Sequence, residues 1–184
     1  FNVETSVPAT LKQPFVLRGL KLKSSSLDLN EISEIFETVQ TNPVYPGVEL
    51  PIKTDGGVAQ ISKFKIGGLQ AENITADVSI NNNILSMKNI KGTAYGGSVS
   101  GKSEYNFLKM LSLSEITGKN AQMSHLFRDL TGKNDGTVGL IDYKLKLSSV
   151  GTKFSQQIRT SKGYMEYTAT RGVMGPLGQF EHFL

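Results

Sequence analysis

The sequence predicts a mainly β fold, one or more curved antiparallel sheets carrying two short amphipathic helices. Three observations predict it. Apolar and polar residues alternate with period two over several stretches, which puts successive side chains on opposite faces of a strand. Glycine supplies 19 of 184 residues, and many of these sit at the ends of those stretches, where tight turns need them. Only two segments switch to the i, i+3, i+4 spacing of a helix.

Phe15 to Leu22 reads FVLRGLKL, a strand with a bulge at Gly19 that moves the inward register from Phe15 and Leu17 to Leu20 and Leu22. A first helix follows, with Ile32, Ile35, Phe36 and Val39 on one face, Asp28 or Asn30 as N-cap, and Glu31 and Glu34 near the positive end of its dipole. It stops before Pro43. Thr41 to Gly57, with Pro43, Pro46 and Pro51, reads as a long irregular loop. The alternation is cleanest from Ile74 to Ile80, where Ile74, Ala76, Val78 and Ile80 face one way and Thr75, Asp77 and Ser79 the other. Asn81, Asn82 and Asn83 tolerate positive φ and turn the chain into a returning strand from Ile84 to Ile90.

Further strands are expected at Val99 to Phe107 and at Val138 to Leu147, the latter with Val138, Leu140, Tyr143, Leu145 and Leu147 apolar. Phe154 to Thr160 and Gly163 to Thr170 read as a last hairpin with its tip at Ser161, Lys162 and Gly163. The second helix starts from Ser124 as cap, carries Leu126, Phe127 and Leu130 on its apolar side, and closes at Gly132 in the left-handed conformation. LDLNEISEIF from Leu27 and AQMSHLFRDL from Ala121 form a faint repeat in which a strand end runs into a short helix.

A chain of 184 residues is long enough for one domain with its own core. Cysteine is absent, which removes disulfides, thiolate zinc sites and thiol nucleophiles. The net charge of +4 comes from 20 basic and 16 acidic residues scattered along the strands with no basic block, so nucleic acid is not an expected partner. No apolar run approaches the roughly 18 to 20 residues of a membrane-spanning helix. The chain opens at Phe1 without an initiator Met or a signal sequence, and reads as a water-soluble fragment of a longer protein.

Catalytic motifs are weak. GGSVSGKS from Gly96 to Ser103 satisfies the G-x-x-x-x-G-K-[ST] pattern of a phosphate-binding loop. The segment before it is not a buried Val/Ile/Leu strand, the residues after Gly97 alternate like a strand, and VGLID ending at Asp142 is the only candidate for a magnesium-reaching acid. His125 and Asp129 lie four apart in the second helix but lack a third ligand, and His182 has no evident partner. Asn73-Ile74-Thr75 fits a glycosylation acceptor within a strand. No carboxylate pair stands out for acid-base work. The expectation is a protein without catalytic residues, cofactor or metal.

Three elements in order carry a resemblance. They are the helical LDLNEISEIF, the hairpin with A-Y-G-G-x-x-x-G at Ala94 to Gly101, and the leucine-rich helix followed by G-T-x-G-x-x-D at Gly136 to Asp142. Together they resemble the C-terminal region of the AsmA family, relatives of TamB and YhdP. The likeness covers roughly residues 15 to 172. It implies an AsmA-like β-rich domain over 1–172 with an unassigned tail at 173–184. It also implies a periplasmic, non-enzymatic module of envelope biogenesis, tethered to the inner membrane by a segment this fragment lacks. The implied role is part of a phospholipid conduit between membranes that contributes to outer-membrane integrity, or else a scaffold for outer-membrane protein assembly; nucleotide binding at the glycine-rich stretch is the remote alternative. Implied partners are phospholipid or another acyl-chain lipid, further β domains of the same chain, and envelope proteins. On the residues themselves, the apolar set Ile74, Val78, Ile80, Leu140, Tyr143, Leu145 and Leu147 is the candidate lining of an acyl-chain groove.

Overall fold

In the computed structural model, residues 2–6, 14–29, 50–132, 136–151 and 154–173 are described. The strands are β1 (Asn2–Ser6), β2 (Phe15–Ser24), β3 (Leu27–Asp28), β4 (Ile52–Thr54), β5 (Gly57–Ile66), β6 (Leu69–Asn81), β7 (Ile84–Ala94), β8 (Gly97–Asn106), β9 (Leu111–Gln122), β10 (Val138–Val150) and β11 (Lys162–Val173). Helix α1 (Met123–Thr131) follows β9, and α2 (Phe154–Thr160) joins β10 to β11. All eleven strands belong to one sheet, ordered β1-β2-β5-β6-β7-β8-β9-β10-β11, with β4 beside β2 and β3 beside β5.

The fold is mainly β and mainly antiparallel, as the sequence predicted, but the sheet is mixed because three pairings are parallel. From β5 to β11 each strand runs antiparallel to the next, but β2 pairs in parallel with β4 and β5, and β3 with β5. More than thirty residues separate β2 from β5, and a connection of that length permits a parallel neighbour where a two-residue turn does not. The short turns do the reverse. Asn82 and Asn83 both take positive φ, 50° and 61°, between the paired Asn81 and Ile84, which closes the expected hairpin.

Three asparagines bend the sheet. Asn73, Asn89 and Asn120 have φ of 53°, 50° and 55°, and each lies at a register shift, between β6 and β7, β7 and β8, and β9 and β10 respectively. Asparagine enters the left-handed region more readily than other non-glycine residues, and the extra residue of a bulge increases local bend and twist. Two of the three are held by carboxylates: the Asn89 side chain donates to Asp77 at 2.6 Å and the Asn120 backbone N–H to Asp142 at 2.7 Å.

The bend has a direct geometric sign. α1 touches β10, β9 and β6. β6 and β10 lie four strands apart, about 19 Å across a flat sheet. A helix about 10 Å in diameter reaches both only if the sheet wraps around it. Gly132 ends α1 as expected, at φ 70° with its N–H on the Arg128 carbonyl at 2.8 Å, but the N-cap position is Gln122 and Ser124 lies inside the helix.

Other expectations fare differently. Phe154–Thr160 is helical, so no hairpin turns at Ser161 to Gly163; β11 pairs with β10 instead. Gln156, Gln157 and Arg159 are good helix formers. The Thr160 hydroxyl accepts from the Val150 N–H at 2.8 Å and bonds the Val150 carbonyl at 2.6 Å, clipping the helix to the end of β10. Within the expected loop from Thr41 to Gly57, Ile52–Thr54 forms β4. The first expected helix, Ile32 to Val39, and the tail after 173 lie outside the described residues.

Gly118 is buried in β9, and a β-carbon there would overlap the ring of Tyr143 on β10. Gly118→Ala is therefore expected to destabilise the sheet by about 1–3 kcal/mol through overpacking, read by urea denaturation. Combining it with Tyr143→Leu should recover part of the loss, because the two substitutions act on one contact.

Candidate functional site: an uncharged inner face

The register of the strands defines the face toward α1 row by row. One row runs Leu20, Gly57, Val78, Met87, Ser103, Ser114, Leu147 and Gly163 across eight strands. The next runs Ile90, Gly101, Ile116, Leu145 and Met165, and a third Gly92, Val99, Gly118, Tyr143 and Tyr167. None of these positions holds Asp, Glu, Lys, Arg or His. The charges fall on the opposite face, where Lys102, Glu115, Lys146 and Tyr164 are register partners. There Glu115 meets Lys102 at 3.4 Å and Lys146 at 3.8 Å. Such exposed pairs add little stability, but their position shows how completely the strands sort charge from the inner face.

The inner face is closed in two places and open in a third. At one end α1 sits in the bend. Ala121, Met123, Leu126, Phe127 and Ile141 are buried there, with Leu69, Tyr95 and Tyr143 packed against them. Tyr95 fastens this end: its hydroxyl accepts the Gln70 N–H at 3.1 Å, and its carbonyl accepts the Gln122 N–H at 2.8 Å. Burial, reinforced by the neighbouring Asp129 carboxylate, pushes the Tyr95 hydroxyl up to about 12, so it stays neutral at any ordinary pH. Toward β2, Leu20, Ala59, Ala76 and Val78 are buried, flanked by Leu22, Leu85, Met87 and Ile90. Over β10 and β11 the same face opens, with Leu147, Met165 and Tyr167 exposed to 37%, 39% and 49%.

Six of the seven residues expected to line a groove share this inner face: Ile74, Val78 and Ile80 on β6, and Tyr143, Leu145 and Leu147 on β10. They do not share one environment. Val78 is sealed in the buried patch, Ile74, Ile80, Tyr143 and Leu145 are half-buried, and Leu147 is exposed. Leu140 departs from the set. The inward phase of β10 runs Ile141, Tyr143, Leu145, Leu147, which turns Leu140 to the other face, and Ile141 is fully buried. Alternation counted from Val138 puts Leu140 out of step with Tyr143 by one residue, and the register partners resolve the phase. Ile90, Val99, Ile116, Met165 and Tyr167 complete the face. β11 hid its contribution because Tyr164 and Tyr167 put an aromatic on each side.

The glycine-rich stretch is spent in the sheet. Gly96 occupies the β7–β8 turn at φ 76°, and Gly97 to Ser103 lie within β8, laddered to both β7 and β9. A strand does not aim consecutive amides at one phosphate, and Lys102 pairs with Glu115. On α1, His125 is exposed and Asp129 bonds Arg128 at 3.4 Å. Asn73 is exposed within its bulge. Among the described residues no group of three or more His, Cys, Asp and Glu is placed to hold a metal, and no helix is long and apolar enough to cross a membrane. No protein-family model, curated protein or solved structure matches the chain.

Charge substitution separates the closed part of the face from the open part. Val78→Asp buries an unpaired carboxylate and is expected to cost about 3–5 kcal/mol. Leu147→Asp, on the same row but exposed, should stay within about 1 kcal/mol of the parent chain. Chemical denaturation of the two variants side by side reads the difference.

Proposed function

We propose that this chain is a non-enzymatic module that holds an acyl chain of a phospholipid along the open part of its inner face. In the wider reading it is a periplasmic segment of an inner-membrane-tethered protein of AsmA type, passing lipid between membranes. The observation that carries the proposal is the uncharged inner face, continuous across eight strands and half-open over β10 and β11. An acyl chain laid on such a surface gains about 0.8 kcal/mol per methylene removed from water, while a charged ligand finds no counter-ion there. The polar side chains of the rows are hydroxyls, and Ser103 and Ser114 bond each other at 2.8 Å, which offers hydrogen bonds without an acid-base pair. The A-Y-G-G-x-x-x-G turn-and-strand element and the α1 segment are the sequence features that support the family.

A second reading, a scaffold for outer-membrane protein assembly, is favoured by β11. It ends the strand order, its residues from Lys162 to Thr170 are all exposed, and twelve residues without proline form an edge on which another strand can pair.

The lipid reading is tested with a phospholipid bearing a photoreactive group at its acyl terminus. Crosslinks are expected on β8 to β11 inner-face residues and should be lost in Leu145→Asp and Met165→Asp variants that melt like the parent. Crosslinks confined to the outer face, or no lipid retained by the parent chain in native mass spectrometry, would overturn it.

A further inference from the structure

The end of the sheet opposite α1 carries, beside the β6–β7 turn, the β8–β9 turn and the crossover through α2. The last two are joined by the Gly151 N–H donating to the Met110 carbonyl at 2.9 Å and by the Tyr105 hydroxyl donating to the Gly151 carbonyl at 3.1 Å. Here the chain exposes four large apolar side chains: Leu108, Leu113, Val150 and Ile158 are 44–57% exposed. Leu113 and Val150 lie on the same face, two pairs apart in the β9–β10 register. The exposed Lys109 and Arg159 follow Leu108 and Ile158 in the chain, and the exposed Lys162 shares a ladder row with Leu113 through Ser148. Residues 105–114 and 147–165 contain no Asp or Glu. The nearest acids are Glu104, beside Leu113 in the ladder and accepting from Ser86 at 3.2 Å, Glu115, two residues from Leu113 on the same face and paired with Lys102 at 3.4 Å and Lys146 at 3.8 Å, and Glu166 further along β11.

We infer that this end of the molecule docks on the surface of an anionic lipid bilayer, with Leu108 and Ile158 inserted at the headgroup boundary and Lys109, Arg159 and Lys162 against the phosphates. Exposed apolar residues on two segments whose own charges are all basic match the two attractions that hold a protein at such an interface: burial of apolar area and the negative surface potential. A neutral protein surface would explain the leucine and isoleucine but not the one-signed charge, so the bilayer is the occupant the charge selects. The other end of the sheet lacks this pattern, since Asp129 and Asp142 lie among its basic residues. The inference concerns the outer rim and stands whether or not the inner face takes an acyl chain.

The test is sedimentation of the intact chain with vesicles of mixed phosphatidylglycerol and phosphatidylcholine beside vesicles of phosphatidylcholine alone. The parent chain should partition onto the anionic vesicles, and rising salt should weaken it. Lys109→Gln, Arg159→Gln and Lys162→Gln should each lower partitioning about five-fold, and Ile158→Glu should lower it while leaving the melting temperature unchanged. Lys119→Gln, at the α1 end, should bind like the parent. Leu145→Asp reports on the inner face and should still sediment, so loss of lipid uptake and loss of docking are separate results. No partition onto anionic vesicles, equal partition onto neutral ones, or an equal effect of Lys119→Gln would overturn the inference.

Discussion

The seating of α1 between β6 and β10 is the contact on which the rest of the shape depends. A single sheet of eleven strands has no second layer among the described residues to define an inside, and a flat one would leave both faces equally wet. By touching strands four places apart, the helix fixes a bend and so makes one face inner and the other outer. Met123 and Ile141, both fully buried, lie at this point. The asparagine bulges supply the bend locally; the helix gives it a reason to persist.

Once the faces are distinguished, period-two alternation sorts the chemistry without further devices. Each strand from β5 to β10 sends its charges outward and its aliphatic, glycine or hydroxyl positions inward, and the register aligns those choices into rows. Glycines on the inner rows are part of the same arrangement. Gly92 lies beneath Ile74 and Gly118 beneath Tyr143, so that a side chain from the next strand covers the gap that glycine leaves. The floor therefore stays apolar where a larger residue would crowd it.

How much of this could be read in the sequence follows from where the phase of the alternation breaks. β6 and β7 were plain because Ile74 to Ile80 alternates cleanly and three asparagines mark the turn. β5 was missed: its pattern changes phase near Ser62 and Lys63, both exposed, so neither half is long enough to stand out. β9 was missed because Ser112, Ser114 and Gly118 give its inner face a polar composition that only register with β8 and β10 explains. The parallel pairing of β4 with β2 is a long-range contact with no local signature. α2 shows the opposite failure, since an isoleucine and a β-branched threonine suggested a strand while the glutamines and arginine between and before them favour helix. For the candidate site, one off-phase count exchanged Ile141 for Leu140, and Val78 entered a set whose other members are more open.

The open strip over β10 and β11 differs energetically from the two closed patches. At α1 and around Val78, inner-face side chains bury one another, and their transfer from water contributes to folding in the usual way. Leu147, Met165 and Tyr167 keep a third to a half of their surface in water and contribute correspondingly less. The strip thus retains apolar area that an added partner would bury, and anything that binds the folded chain there stabilises it by mass action. Because the strip adjoins the edge strand β11, a ligand can reach it from the side without unseating α1. The same geometry that closes one end of the inner face therefore leaves its lateral margin as the route of access.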